Sequence, residues 1–226
     1  MEIAVPSKSF ANDLRSYATT RFASARIGLL WLGLTGCALL VSSGPVMDYA
    51  AITAFLGAAL IVQFRLWDDL ADLQHDARHH PQRVLVNTVH RQNFILLCVV
   101  VALFNVFVLW VWRDLEKVLG YVGLCAAMGA LYTVSARWPR IARGHLVLLK
   151  YPVFVWLCAN HSQIYRTVII GMALWLVLAL IDMHSDHAMR SNTHWRWIRN
   201  VELVALLVLA VLALNFVPDA IRELNP

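Results

Sequence analysis

The sequence predicts an all-α membrane protein, a polytopic bundle of about seven transmembrane helices. Of its 226 residues, 60% are hydrophobic and only 15% charged. That leaves too few charges for a soluble domain of this size to cover its apolar surface. The mean hydropathy is +0.62, and the apolar residues fall in runs long enough to cross a bilayer rather than in short buried strands.

Residues 1–26 read as an N-terminal interfacial segment: Met1-Glu2 opens a mixed polar stretch without the apolar core or small-residue cleavage site of a signal peptide. The transmembrane domain occupies 27–218, with spans expected at 27–47, 49–67, 93–112, 116–135, 145–160, 164–182 and 201–218, and 219–226 form a C-terminal tail. The fifth span is short and contains Lys150 and Pro152. A kinked helix accommodates both if the lysine snorkels to the nearer interface.

Lysine and arginine set the expected orientation. One face receives Lys8, Arg15, Arg21 and Arg26, then Arg65, Arg78, Arg83 and Arg91, then Arg137, Arg140 and Arg143, then Arg190, Arg196 and Arg199. These are fourteen of the nineteen basic residues. The bias predicts a cytoplasmic N-terminus and acidic motifs, an external C-terminus, and residence in a bacterial cytoplasmic membrane. A net charge of +5 therefore needs no nucleic-acid partner. Cys37, Cys98, Cys125 and Cys158 each sit in an apolar run without paired spacing, as packing cysteines do.

The chemistry-bearing stretch is Arg65-Leu-Trp-Asp-Asp-Leu-Ala-Asp-Leu-Gln-His-Asp, at the end of the second span. On a continuous helix Asp68, Asp72 and Asp76 lie within roughly 80° of one another and about 6 Å apart along the axis. Asp69 points to an adjacent face, near Arg65. Like charges so placed repel, and carboxylates at membrane depth are costly. Either the helix end is a solvated, salt-bridged one, or a divalent cation holds the carboxylates together. Hard oxygen ligands suit Mg²⁺, which commonly bridges one or two carboxylates to a substrate phosphate. A second pair, Asp182 and Asp186, follows the sixth span on the same face with the same spacing.

These residues resemble the UbiA superfamily of intramembrane prenyltransferases. Asp68-Asp69-x-x-Asp72-x-x-x-Asp76 is similar to its first signature, Asn-Asp-x-x-Asp-x-x-x-Asp, and Pro81-Gln82-Arg83-Val84 to the Pro-x-Arg-Pro element that follows. Asp182 and Asp186 match its second signature. Tyr132 and Arg137 match its Tyr-x-x-x-Lys-Arg element, with Ala136 in the lysine position. The resemblance covers roughly residues 27–200 and implies a UbiA-like bundle around a central cavity. It also implies Mg²⁺-dependent transfer of a prenyl group from an isoprenoid diphosphate to a small-molecule acceptor, classically aromatic, within the lipid bilayer. Asp68, Asp72, Asp76, Asp182 and Asp186 would then hold Mg²⁺ as the catalytic set, with Asp69 counted beside them or orienting Arg65. Arg83, Arg137, Lys150, Tyr132 and Arg65 would bind the diphosphate. Family members usually have nine helices, and a homo-oligomer would close the side that seven leave open.

Two other classes fit parts of the pattern. His75-x-x-x-His79-His80 and His184-x-x-His187 resemble boxes of membrane di-iron oxidases, and imidazoles so spaced can ligate iron. A third box is missing. A non-catalytic binding protein is the other alternative. Within the enzyme reading, a UbiA-type terpene cyclase shares the ionisation step and omits the acceptor.

Overall fold

A computed structural model describes residues 9–43, 46–134, 138, 140–161, 163–185 and 195–214, and all the regular structure among them is helical. Helix α1 (Phe10–Phe22) is polar and starts at Ser9, whose hydroxyl accepts from the Asn12 N–H. It meets α2 (Ala25–Val41) at 69°. Then come α3 (Val46–Ala71), the short α4 (Leu73–His79) and α5 (Val84–Asn87), α6 (Arg91–Trp112) and α7 (Leu115–Val134). The chain continues with α8 (Arg140–Leu148), α9 (Lys150–Cys158), α10 (Ile164–Ser185) and α11 (Trp195–Leu214).

Four stretches, Asp48–Ala71, Arg91–Trp112, Leu115–Val134 and Ile164–His184, are long and apolar enough to cross a membrane, and the bent pair α1–α2 makes a fifth if counted as one span. Their outer faces suit lipid. On α6, Leu96, Leu103, Phe107 and Trp110 are each more than 60% exposed, a stripe that water would not tolerate. The chain is an integral membrane protein. Of the other three expected spans, α2 has 17 residues, α9 has nine, and α11 opens with Arg196, Arg199 and Glu202.

Helix α9 is the centre of the bundle, packed by α2, α3, α7, α8 and α10. Phe154, Val155, Leu157 and Cys158 are wholly buried, against Leu34 of α2, Leu56, Leu60 and Phe64 of α3, and Leu109 of α6. A helix apolar all round belongs in such a core. The expected kinked span at 145–160 is two helices broken at Leu149, and Pro152 falls in the first turn of α9, where its missing N–H costs nothing.

Nine residues rise only about 14 Å, so both ends of α9 lie within the bundle. Its last carbonyls are taken by cations from the α6–α7 connection and the first turn of α7. Arg113 Nη2 donates to Cys158 O at 2.7 Å and to the Thr53 hydroxyl at 2.9 Å, while Lys117 Nζ donates to Trp156 O at 2.6 Å and to Ala159 O. The Ser43 N–H donates to Asn160 O at 3.0 Å, joining the ends of α2 and α9. At its other end Lys150 does not snorkel. It is 2% exposed, because a carboxylate of α3 meets it.

Helix α10 approaches α9 at a glycine. A β-carbon added to Gly171 would stand 3.0 Å from the Pro152 Cα, which is backbone and cannot yield. Small residues at such crossings let membrane helices close on each other. Gly171→Val is expected to destabilise the protein by about 1–3 kcal/mol, read as a lowered denaturation midpoint in detergent. Gly36→Ala, which meets nothing within 4 Å, should leave that midpoint unchanged or slightly raised.

Candidate functional site

The aspartate run begins in α3 and crosses the break into α4. Asp72 sits at the break, yet the i→i−4 bonding continues through it: Asp72 N donates to Asp68 O at 3.0 Å, Asp76 N to Asp72 O at 2.9 Å and His80 N to Asp76 O at 2.7 Å. The fourfold spacing therefore still places three carboxylates on one side. That side is the wall of a cavity of about 470 Å³, which Asp182 of α10 also lines.

Each α3–α4 carboxylate is met by a cation across this cavity. Lys150 Nζ lies 2.5 Å from Asp68 Oδ2, and the Tyr132 hydroxyl donates to Asp68 Oδ1. Arg143 Nη2 of α8 lies 2.5 Å from Asp72 Oδ1. Arg83, beyond α4, pairs with the buried Asp76. Arg65 also lines the cavity. Lys150 is further held by the rings of Phe64 and Tyr151, at 5.9 and 5.7 Å from their centroids. Removing one member of so buried a pair typically costs about 3–5 kcal/mol.

Asp69 turns away from the cavity, so its expected place among the metal ligands is not where its side chain goes. It accepts from the Tyr17 hydroxyl at 2.9 Å and pairs with Arg21 at 2.9 Å, with Arg65 at 3.8 Å. Burial, with the Asp69 carboxylate beside it, holds the Tyr17 phenol above its ordinary value, so it keeps its proton and donates. Asp13 accepts from Thr88 at 2.6 Å, and Tyr17 packs with Leu66, Leu85 and Phe94. The interfacial segment is thus a helix latched across the end of α3.

Asp186 and Arg137 lie outside the described residues, as do Ala136, His187 and His194. His75 and His80 line the cavity, but His75 and His79 stack at 4.2 Å and His79 Nδ1 lies 3.0 Å from its own helix at His75 O. Among the described residues, no three His, Cys, Asp or Glu side chains stand together as a single-ion site. The same residues hold no disulfide: Cys98 and Cys158 are buried and free, Cys37 and Cys125 half-buried and free.

Sequence reasoning missed Arg143 as a site residue, along with Trp138 and Tyr151, which line the same cavity. Arg143 acts because residues 140–148 form a helix rather than a loop. That helix is anchored on its far side: His145 Nε2 and Glu202 Oε1 of α11 share a 2.5 Å hydrogen bond, and Trp175 of α10 donates to His145 O at 2.9 Å. The chain matches no family model, no curated protein and no solved structure.

If Asp69 latches α1, Asp69→Asn should raise amide hydrogen exchange across residues 10–22 by about tenfold or more, a loss of roughly 1.4 kcal/mol of local stability. Asp72→Asn, on the cavity side, should leave exchange in α1 as it is. Equal protection of α1 in wild type and Asp69→Asn would remove the latch.

Proposed function

We propose that this chain is a UbiA-type membrane prenyltransferase: it transfers a prenyl group from an isoprenoid diphosphate to a small-molecule acceptor, with Mg²⁺. One observation carries the reading. Asp68, Asp72, Asp76 and Asp182 share a single cavity with Arg65, Arg83, Arg143 and Lys150. Carboxylates and cations in such numbers at the end of membrane helices suit a polyanion that arrives with a divalent cation. The donor set is all hard oxygen and fits Mg²⁺ shared with substrate phosphates, which needs one or two carboxylates rather than a closed protein cage.

In this reading the ion pairs are the resting arrangement. Arg143, Arg83 and Lys150 exchange a carboxylate for a diphosphate oxygen, releasing Asp72, Asp76 and Asp68. Mg²⁺, when bound, supplies charge neutralisation that eases departure of the diphosphate. Arg143 and Lys150 stabilise the negative charge that develops as the C–O bond breaks. Tyr132, Trp138 and Tyr151 offer ring faces to the allylic cation. The prenyl tail gains about 0.8 kcal/mol per buried CH₂ among the helices.

The chain is read as crossing the membrane seven times, through α2, α3, α6, α7, the broken α8–α9 pair at 145–160, α10 and α11, with the cavity facing the cytoplasm. In this reading Lys150 or Arg137 supplies the diphosphate contact of the family lysine that Ala136 replaces.

The test is release of diphosphate and formation of prenylated product in membranes supplied with labelled prenyl diphosphates of several lengths. Asp72→Ala and Asp182→Ala should each lower turnover by at least about 100-fold, and chelation of Mg²⁺ should abolish it. Arg143→Gln should raise KM for the donor about tenfold or more, the worth of one charge-assisted contact. Full activity in both aspartate variants would sink the reading. Diphosphate release without an acceptor, giving a cyclised hydrocarbon, would move it to a terpene cyclase, which the three aromatic rings also suit.

A further inference from the structure

Helix α3 carries a second cavity that the proposed transfer does not use. It holds about 450 Å³ and lies between α3, α6 and α7, on the side of Trp67 and Ala71 rather than Asp68 and Asp72. Its lining is apolar except for the Gln63 amide and two thiols, Cys98 and Cys125. Val99, on its rim, is 49% exposed on the lipid-facing side of α6, so the cavity opens toward the bilayer.

Gln63 is 1% exposed, and its amide is oriented by two donors on the same oxygen. Asn105 Nδ2 donates to Gln63 Oε1 at 2.7 Å and the Tyr121 hydroxyl, which also has Ala102 O within reach at 3.2 Å, donates to it at the shorter distance of 2.6 Å. With Oε1 so occupied, the amide nitrogen faces Cys125, whose sulfur at 3.8 Å is its acceptor. A thioether or thiol sulfur is a weak acceptor, and an amide nitrogen has two hydrogens to place. Fixing three polar groups inside a membrane to aim a donor at sulfur is a poor use of them, since polar groups in that setting are costly.

We propose that this cavity is a binding site for an apolar carbonyl compound drawn from the bilayer, with Gln63 Nε2 donating to its carbonyl oxygen. Trp67 forms one wall and supplies an aromatic face to a ring; its own ring meets those of Phe64 and Tyr132 at 5.7 and 5.6 Å, which fixes it. The size is within the usual range for small-molecule sites, and an apolar lining with one placed polar group is their usual make-up. The assignment does not rest on prenyl transfer, because neither the aspartates nor the cations of the acidic cavity take part.

The probes are octanophenone and octylbenzene, which differ only in a carbonyl in place of a methylene. Purified full-length protein in nanodiscs is titrated with carbonyl-¹³C octanophenone, and the ketone stretch is read by infrared difference spectroscopy. A saturable band at lower frequency than that of bilayer-dissolved ketone is expected. Octylbenzene should displace it about tenfold less well than unlabelled octanophenone, since one hydrogen bond in a dry site separates them. Gln63→Leu should abolish the shifted band. Because that change also strips partners from Asn105 and Tyr121, Val99→Trp serves as the second variant: it fills the mouth from the lipid side, leaves the amide network whole and should abolish saturable binding. Equal displacement by both probes, a shifted band that survives Gln63→Leu or Val99→Trp in folded protein, or no saturable band in wild type would each overturn the proposal.

Discussion

A helix that stops inside a membrane has polar ends that nothing in lipid can satisfy. That constraint, set by the nine residues of α9, organises the rest of this protein. Its carbonyl end draws in Arg113 from the α6–α7 connection and Lys117 from the first turn of α7, and ties in Thr53 of α3. The macrodipole favours cations there. Its amino end favours an anion, and Asp68 stands at that end, joined to the first residue of the helix, Lys150. One short helix therefore fixes the depth of a carboxylate and a cation together, at the wall of the acidic cavity.

The same logic explains why the acidic cavity is so closely neutralised. Asp68, Asp72 and Asp76 would repel one another on a single helix face, and each instead meets a cation from a different element: α9, α8 and the connection after α4. The charges are thus spread over segments that are separate in the chain. Displacing one cation need not disturb the next, which is the property a site needs if a polyanion is to replace carboxylates as the partner of those cations. Helix α8 is tied in from two sides, by Arg143 to Asp72 and by His145 to Glu202 of α11.

Much of this was legible in sequence. Apolar runs placed α3, α6, α7 and α10 to within a few residues, because lipid imposes length and composition on a span. The aspartate spacing survived a helix break, since the backbone bonds link Asp68, Asp72 and Asp76 in turn. Pairing was less legible. Lys150 read as a snorkelling residue because its partner lies 82 positions away, and no local pattern marks an interior ion pair. Asp69 read either as a ligand beside Asp68 or as a partner of Arg65; it does pair with Arg65, but its closer partners, Tyr17 and Arg21, belong to α1, far away in the chain. Arg143 fell in a stretch read partly as a loop, and a loop gives no face on which to place a guanidinium.

Helix α3 joins these parts because it turns three faces to three settings. At 26 residues it runs about 39 Å, longer than the ~30 Å hydrocarbon core, so it can cross with more than a turn to spare. One face at its aspartate end carries Asp68 to the cations of the acidic cavity. A second carries Asp69 to α1, which packs over the end and brings Phe10, Leu14 and Phe22 against the core near Phe94. A third, deeper, carries Gln63 to Asn105 and Tyr121 within the bundle. Phe64 and Trp67 lie between these levels, ring against ring, with Phe154 of α9 and Tyr132 of α7 packed on them. A rotation of α3 sufficient to relieve any one face would break the other two. The polar residues of this helix therefore fix its rotation, and that fixed rotation is what presents Asp68 to one cavity and Gln63 to the other.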